Sequence, residues 1–359
     1  MKVKRIGRLA LSAIIAALIA VMCIACGSDN AARSRLVSYT AIDTEVQSST
    51  ADVVRRVADT VVEIQTNTVI TQWGMQYVVS GAGSGVIVAH DEAFKTYYII
   101  TNNHVIDGAS EIKVTLHSGE VYTASLVAAD ERDDIAVVSI NESSTLNVAI
   151  WGNSDSLQIG EDLIAIGNPL GSLGGTVTKG ILSATKRSIP VGNYTMQLLQ
   201  TDTAINPGNS GGGLFNMRGN LIGIVNAKTS DEEVEGICFA IPANTAKAIF
   251  EDLVENGVVS GRVTLGISVA YGSNGTVYVS EVKNVASGTF EQYDKIVEIN
   301  GHAVTSLLTY NDAIATIAPD DTVAVKVCRG TLVQNKFGSG ISFSSDVTEF
   351  TVTAKQLTR

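Results

Sequence analysis

From Thr60 onward the chain is a succession of short apolar runs broken by turn residues. Thr60 to Gln65, the glycine-punctuated SGAGSGVIVA, TYYIITNNHV, SEIKVTLHSG, VYTASLVAAD and DIAVVSI follow one another at short, regular intervals. Runs of this length and spacing predict the strands of an all-β barrel or sandwich. LIAIGNPLG, VTKGILSA, YTMQLLQTD, LIGIVNAK and GICFAIP then repeat the pattern and predict a second barrel. Helical signals are few. VVRRVAD, capped by Thr50-Ala51-Asp52, predicts a short helix before the first strand. Pro242 to Glu255, PANTAKAIFEDLVE, has apolar residues at helical spacing and is closed by Asn256-Gly257, so it reads as a helix joining two domains. VYVSEV, KIVEINGHAV, the helix-like TYNDAIATIA and TVAVKVCRG predict a smaller α+β unit beyond it.

Composition agrees with that division. A chain of 359 residues exceeds what one core usually supports, and 45% hydrophobic with 17% charged residues is a folded, globular composition. Residues 1–26 stand apart: Lys2, Lys4, Arg5 and Arg8 precede the uncharged run Leu9 to Ala25, followed by Cys26-Gly27-Ser28-Asp29. This is the pattern of an export signal. The run is at the lower limit for spanning a bilayer, so a retained anchor and a cleaved signal are both physically open. Ile24-Ala25-Cys26 followed by Gly and Ser resembles a bacterial lipoprotein processing site with Cys26 as the acylated residue, although Cys23 stands where that pattern usually has Leu. The expectation is therefore a lipoprotein, with an uncleaved anchor as the alternative. Both place the body of the protein outside the cytoplasm and tethered to the membrane.

Residues 27–50 are polar, lack periodicity and read as a linker, giving a division into 1–26, 27–50, 51–256 and 257–359. Four of the 25 basic residues and none of the 36 acidic ones lie in residues 1–26, so the remainder carries 21 against 36, a net charge of −15. So acidic a surface argues against nucleic acid and anionic headgroups as partners. Cys238 and Cys328 fall in different domains and read as isolated apolar cysteines; no pair has metal-ligand spacing, and no metal or cofactor is expected.

The chemistry concentrates in Thr201 to Leu214, TDTAINPGNSGGGL. Ser210 sits among Gly208, Gly211, Gly212 and Gly213, so a substrate carbonyl can approach closely. The N–H groups of Gly208 and Ser210 are the natural donors to a developing oxyanion. The same residues are also good turn chemistry between two strands, and context decides. His104 follows the apolar run Tyr97 to Ile100, and Asp134 precedes another β-type run. The order His, Asp, Ser is that of the chymotrypsin-type triad. The other histidines have turn surroundings: His90 at a strand end before Asp91-Glu92, His117 before Ser118-Gly119, and His302 after the hairpin signal Asn300-Gly301. Gly-x-Ser-x-Gly also occurs in α/β-hydrolases, but Leu221 to Val225 after Ser210 is β-type, and the histidine that follows is His302 in the other domain.

TNNHVIDGA, DERDDIAVV, AIGNPLG, VTKGILSA, TDTAINPGNSGG and GICFAIP, in that order, resemble the successive signatures of the HtrA/Deg family of extracytoplasmic serine proteases. The resemblance covers about residues 51 to 250 and extends into a C-terminal PDZ-like domain. It implies a chymotrypsin-like double antiparallel β-barrel followed by a smaller α+β PDZ-like domain. His104 would be the general base, Asp134 its orienter and Ser210 the nucleophile. The family places its acid directly before the apolar run, which selects Asp134 and leaves Asp133 as a solvated neighbour. Where trypsin-like enzymes carry the aspartate that binds Lys or Arg, this chain has Ala204 followed by Ile205. The implied pocket is apolar and suits Val, Ala or Leu. By analogy, Asn226, Ala227 and Lys228, with Gly236 to Phe239, would lie beside an extended substrate backbone.

VTLGISVA resembles the PDZ carboxylate loop, with Leu265, Gly266 and Ile267 receiving a peptide's C-terminus. SGTFEQY, Ser287 to Tyr293, departs from the usual Ala-Gly-Leu segment there, and a plain β-rich packing domain is the alternative. The family further implies unfolded or misfolded proteins as substrates and a homotrimer built through the segment before the protease domain, with Tyr39 a candidate packing residue and a solvated tether the alternative. The expected activity is serine endopeptidase. The reading from another class is a peptide-binding chaperone or stress-sensing scaffold with low or switchable proteolysis.

Overall fold

The computed structural model describes residues 49–72, 74–167, 176–206, 208–227, 236–272, 275–283, 289–335 and 338–357. Cys26, Tyr39 and the rest of residues 1–48, Lys228, and Ser287-Gly288 lie outside the described residues.

Six strands close the first barrel: β1 (Val61–Gln72), β2 (Met75–Asp91), β3 (Thr96–Thr101), β4 (Glu111–Thr115), β5 (Val121–Asp130) and β6 (Ile135–Asn141), in the order β1-β2-β3-β6-β5-β4. A single helical turn, α2 (Asn103–Ile106), follows β3, while α1 (Thr50–Val57) precedes β1. Ser49 caps α1 with its side chain on the N–H of Asp52, and Asp52 returns the bond, a capping box. The second barrel is β7 (Asp162–Gly167), β8 (Thr176–Val191), β9 (Tyr194–Thr201), β10 (Gly213–Asn216), β11 (Leu221–Asn226) and β12 (Cys238–Pro242), ordered β10-β11-β12-β9-β8-β7. Each barrel has an apolar centre, around Ile64, Ile87, Ile99 and Val138 in the first and Leu163, Leu182, Leu199 and Ile222 in the second.

A third apolar cluster joins the barrels: Val86, Ile100, Ile135 and Val137 from the first meet Ile164, Leu198, Phe215 and Ile224 from the second. Helix α3 (Ala243–Asn256), expected as the joining helix, is itself part of this cluster through Ala246, Ile249, Phe250 and Leu253. Phe250 meets Tyr98 edge-on at 6.3 Å and lies 6.4 Å from Trp151. Gly257 ends the helix at φ 74, its N–H bonded to the carbonyl of Leu253; this is a left-handed cap that glycine takes without Cβ strain.

The first strand differs from its sequence expectation of Thr60 to Gln65. It runs to Gln72 and pairs along its length with β2, so the hairpin continues beyond the barrel. There Val69, Ile70 and Val78 are 46, 41 and 66% exposed, so no buried face marks the extension in the sequence. His90 also differs: it remains within β2, stacked on Tyr97 at 4.1 Å, rather than in a solvated turn.

The C-terminal unit contains β13 (Val263–Thr264), β14 (Ile267–Tyr271), β15 (Val277–Val282), β16 (Lys295–Ile299), β17 (His302–Ala303), α4 (Leu307–Ala315), β18 (Thr322–Asn335), β19 (Gly338–Thr353) and β20 (Lys355–Gln356). Its main sheet runs β14-β15-β16-β18-β19, with β14 at one edge; β13 pairs with β20. Asn300 and Gly301, at φ 47 and 81, make the expected tight turn between β16 and β17. Helix α4 reaches the protease unit, where Asn311 Nδ2 donates to the carbonyl of Asn193 at 2.7 Å.

Because Phe250 is 3% exposed at the junction of both barrels, Phe250→Ala is expected to cost about 3–5 kcal/mol. Urea unfolding of the protease unit measures it, and a loss below about 1 kcal/mol contradicts the account of α3 as core.

Candidate active site

The first barrel supplies a carboxylate and an imidazole from neighbouring loops. After β3, the buried Asn102 leads into α2, which carries His104 on its single turn. Asp134 ends the turn between β5 and β6 at φ 51, a left-handed conformation unusual for a residue with a Cβ. Its carbonyl accepts the N–H of Asn103 at 3.1 Å and Nδ2 of Asn102 at 3.0 Å, tying the two loops together. Its carboxylate is 4% exposed as a residue and fully engaged. Oδ1 accepts the backbone N–H of His104 at 2.9 Å; Oδ2 accepts Nδ1 of His104 at 2.6 Å and Nδ2 of Asn226 at 2.9 Å. A carboxylate has no proton to give, so Nδ1 of His104 carries the hydrogen and Nε2 is left with a lone pair. That lone pair faces Oγ of Ser210 at 3.1 Å.

The second barrel supplies the hydroxyl. Ser210 lies between β9 and β10 in a loop held from both sides. From the first barrel, the N–H of Ser84 donates to the carbonyl of Ser210 at 2.8 Å and its hydroxyl to the carbonyl of Gly208 at 2.7 Å. From the second, the N–H of Gly211 donates to Val225 at 3.0 Å, and that of Val225 to Gly212 at 2.9 Å. Gly211 sits at φ 82, and a Cβ there would lie 2.2 Å from the carbonyl oxygen of Ser84. Glycine is therefore required by both conformation and space. Gly208 is at φ 96, and among the described residues neither its N–H nor that of Ser210 has a hydrogen-bond partner. The N–H of Ala227 lies 3.3 Å from Oγ of Ser210.

The residues read as a substrate pocket divide. Ile205 is buried with Leu182, Leu199, Val225 and Cys238 and forms an apolar wall, whereas Ala204 is exposed. The carbonyl of Ala204 accepts Oγ1 of Thr178 at 2.8 Å. Neighbouring Asp202 puts Oδ1 on the N–H of Ile181 at 2.6 Å, so its carboxylate is anchored to β8. Burial pushes the thiol pKa of Cys238 up, which keeps it neutral and unreactive. Asn226, expected beside substrate, is fully buried and turns its amide onto Asp134.

In the C-terminal unit β14 pairs on one side with β15, and among the described residues no strand pairs with its other edge. Leu265 and Ile267 point into the core, and Gly266 between them is at φ 76. The N–H of Gly266 is taken by Oγ1 of Thr264 at 3.0 Å, so one of the three expected loop donors has an internal partner. Within the segment that departs from the usual PDZ sequence, Phe290 is packed inward, 5% exposed and edge-on to Phe350 at 5.0 Å, while Glu291 and Gln292 are exposed. Asp294 behind it is fully buried, and burial raises its pKa despite the Arg329 guanidinium 2.6 Å away.

Two groups near the site escaped sequence reasoning. Strand analogy places Asn226 beside substrate, whereas its side-chain direction depends on the β11 register. Asp133, read as solvated, is ion-paired with Arg262 from beyond α3, a partner too distant in sequence to be inferred.

Comparison with known proteins gives the same picture by another route. The family described as a trypsin-like peptidase domain matches residues 83–224, and the PDZ domain family matches residues 263–335. Serine protease Do-like HtrA of Bacillus subtilis (strain 168) is 39% identical over 284 residues, covering 70% of this chain and 61% of that protein. A probable periplasmic serine endoprotease, DegP-like, of Chlamydia trachomatis is 39% identical over 263 residues, covering 69% of this chain and 51% of its own length. The matches thus span only a little over half of these relatives. Among solved structures, the HtrA-type protease AlgW with a tripeptide is 30% identical at a TM-score of 0.54, covering 87% of this chain and 98% of that one. With trypsin-like and PDZ domains in this order on two closed β-barrels and a C-terminal sheet, the chain belongs to the HtrA/Deg family of serine proteases.

Proposed function

We propose that this protein is a serine endopeptidase acting on unfolded or misfolded proteins outside the cytoplasm. The observation that carries the reading is the continuous line from Asp134 Oδ2 through His104 to Ser210 Oγ, with contacts of 2.6 and 3.1 Å. Ser210 attacks the scissile carbonyl while Nε2 of His104 takes its proton. The imidazolium that results is stabilised by Asp134, whose carboxylate also fixes the ring through Nδ1. Negative charge gathers on the carbonyl oxygen within reach of the Gly208 and Ser210 N–H groups. A donor of that kind supplies about 2.7–4 kcal/mol to the transition state. Nε2 then returns its proton to the leaving amine, and water releases the acyl group from Ser210 by the same steps.

An extended chain would lie along Asn226 to Lys228 and Gly236 to Phe239, with the side chain before the cut against Ile205. Ile205 and its apolar neighbours favour aliphatic residues, and Asp202 is held away by Ile181. The periplasmic description of a relative supports an extracytoplasmic site of action, and the Cys26 pattern supports a lipid tether. Trimer formation through the segment before α1 rests on family resemblance. The open β14 edge supports capture of peptide C-termini by strand addition at Leu265, Gly266 and Ile267. Capture raises activity only where the active form binds the peptide more tightly than the resting form does.

Ser210→Ala is expected to lower casein hydrolysis by about four to six powers of ten. A loss of only a few-fold removes Ser210 from the nucleophile role. Profiling of cuts in a denatured protein mixture is expected to place Val, Ala or Leu before the scissile bond; predominant cutting after Lys or Arg contradicts the pocket. Peptides ending in an apolar residue are expected to activate the full chain roughly 5- to 150-fold. Calorimetric titration showing no heat at millimolar peptide would eliminate the carboxylate loop as their site.

A further inference from the structure

The turn that delivers Asp134 is not completed by the protease barrels alone. It leaves β5 at Asp130 and reaches Asp134 in a left-handed conformation, which a residue with a Cβ keeps only when its surroundings hold it. The N–H of Asp133 closes the turn onto Oδ2 of Asp130 at 2.8 Å. Asp130 is in turn gripped by Arg262, with Nε on Oδ1 at 3.2 Å and Nη2 on Oδ2 at 3.0 Å. The same Nη2 meets Oδ2 of Asp133. The side chains of Arg262, Asp130 and Asp133 are 17, 11 and 23% exposed, so this is a largely dry, forked ion pair rather than a surface contact. Burial works against the Arg262 charge, but Asp130 and Asp133 outweigh it and raise its pKa. Arg132 also lies near these two carboxylates, and burial together with the like charge of Arg262 lowers its pKa.

Arg262 belongs to the other unit. It directly precedes β13, its carbonyl accepts the N–H of Leu357 at 2.7 Å, and the adjacent Val263 and Thr264 pair with Gln356 and Lys355. Its place is thus set where the two ends of the C-terminal unit meet.

We propose that Arg262 is a positioning residue for the catalytic acid: the C-terminal unit supplies the cation that holds the Asp130 to Asp133 turn closed and so keeps Asp134 aligned with His104. Removing the guanidinium leaves two largely buried carboxylates facing one another at the base of that turn, with Arg132 as the nearby cation but without the fork that bonds both. Their repulsion opens it and misdirects the Asp134 carboxylate without touching substrate or Ser210. This inference rests on the protease reading above, and its test separates the two.

In the full chain, Arg262→Gln is expected to lower kcat roughly tenfold with KM changed by less than about twofold, because alignment and not substrate binding is lost. Adding Asp133→Asn to Arg262→Gln is expected to recover much of the loss by removing one of the facing charges, and Arg262→Lys, which keeps charge but loses the fork, should fall between. A second measurement needs no turnover. In a Ser210→Ala background, the far-downfield proton resonance of His104 Nδ1–H is expected to be sharp with Arg262 and shifted or broadened in Arg262→Gln. Unchanged kcat together with an unchanged resonance overturns the proposal. So does a kcat loss that Asp133→Asn does not relieve and that follows a fall in melting temperature, since Arg262 would then only join the domains. If the parent chain hydrolyses nothing, the protease reading fails while the resonance still decides the role of Arg262.

Discussion

The carboxylate of Asp134 is the group on which the rest of the site depends. A buried anion is costly unless hydrogen bonds replace its water, and here three donors do so: the backbone and Nδ1 of His104 and the amide of Asn226. Two of these come from the first barrel and one from the second. Satisfying the charge therefore requires the barrels to be docked, and the shared cluster of Ile100, Ile135, Leu198, Phe215 and Phe250 supplies the apolar contact that docks them. The loop bearing Ser210 repeats the arrangement, with Ser84 of the first barrel and Val225 of the second both bonded to it. Fold and reactivity are thus linked through the barrel interface.

Much of this was legible in the sequence, for local reasons. The strand sequence of both barrels follows from short apolar runs, Gly211 from the need for a residue without a Cβ, and the β16 to β17 hairpin from Asn300-Gly301. His104, Asp134 and Ser210 could be selected because each follows or precedes a strand within a recognisable surrounding. What was not legible depends on register or distance. The β1 to β2 extension carries no buried face, and His90 gains its place by stacking across to Tyr97. Asn226 and Arg262 act through side chains whose direction emerges only when separate strands and units are assembled.

The C-terminal unit is more than an appendage by this account. Asn311 reaches Asn193 at the tip of the β8 to β9 hairpin, and β9 leads directly into the loop bearing Ser210. Arg262 meets the turn bearing Asp134. One unit therefore touches the supports of both Asp134 and Ser210. Such contacts connect the C-terminal unit directly to the turn that carries Asp134 and, through β9, to the loop that carries Ser210.

The central claim is that His104 and Asp134 activate Ser210 in the assembled protein. Fluorophosphonate labelling of the full chain, followed by mapping of the modified residue, addresses it most directly. The account predicts rapid modification of Ser210 ahead of the other serines, abolished by His104→Ala in protein that remains folded. Absence of labelling at Ser210, or labelling equally fast without His104, would contradict it.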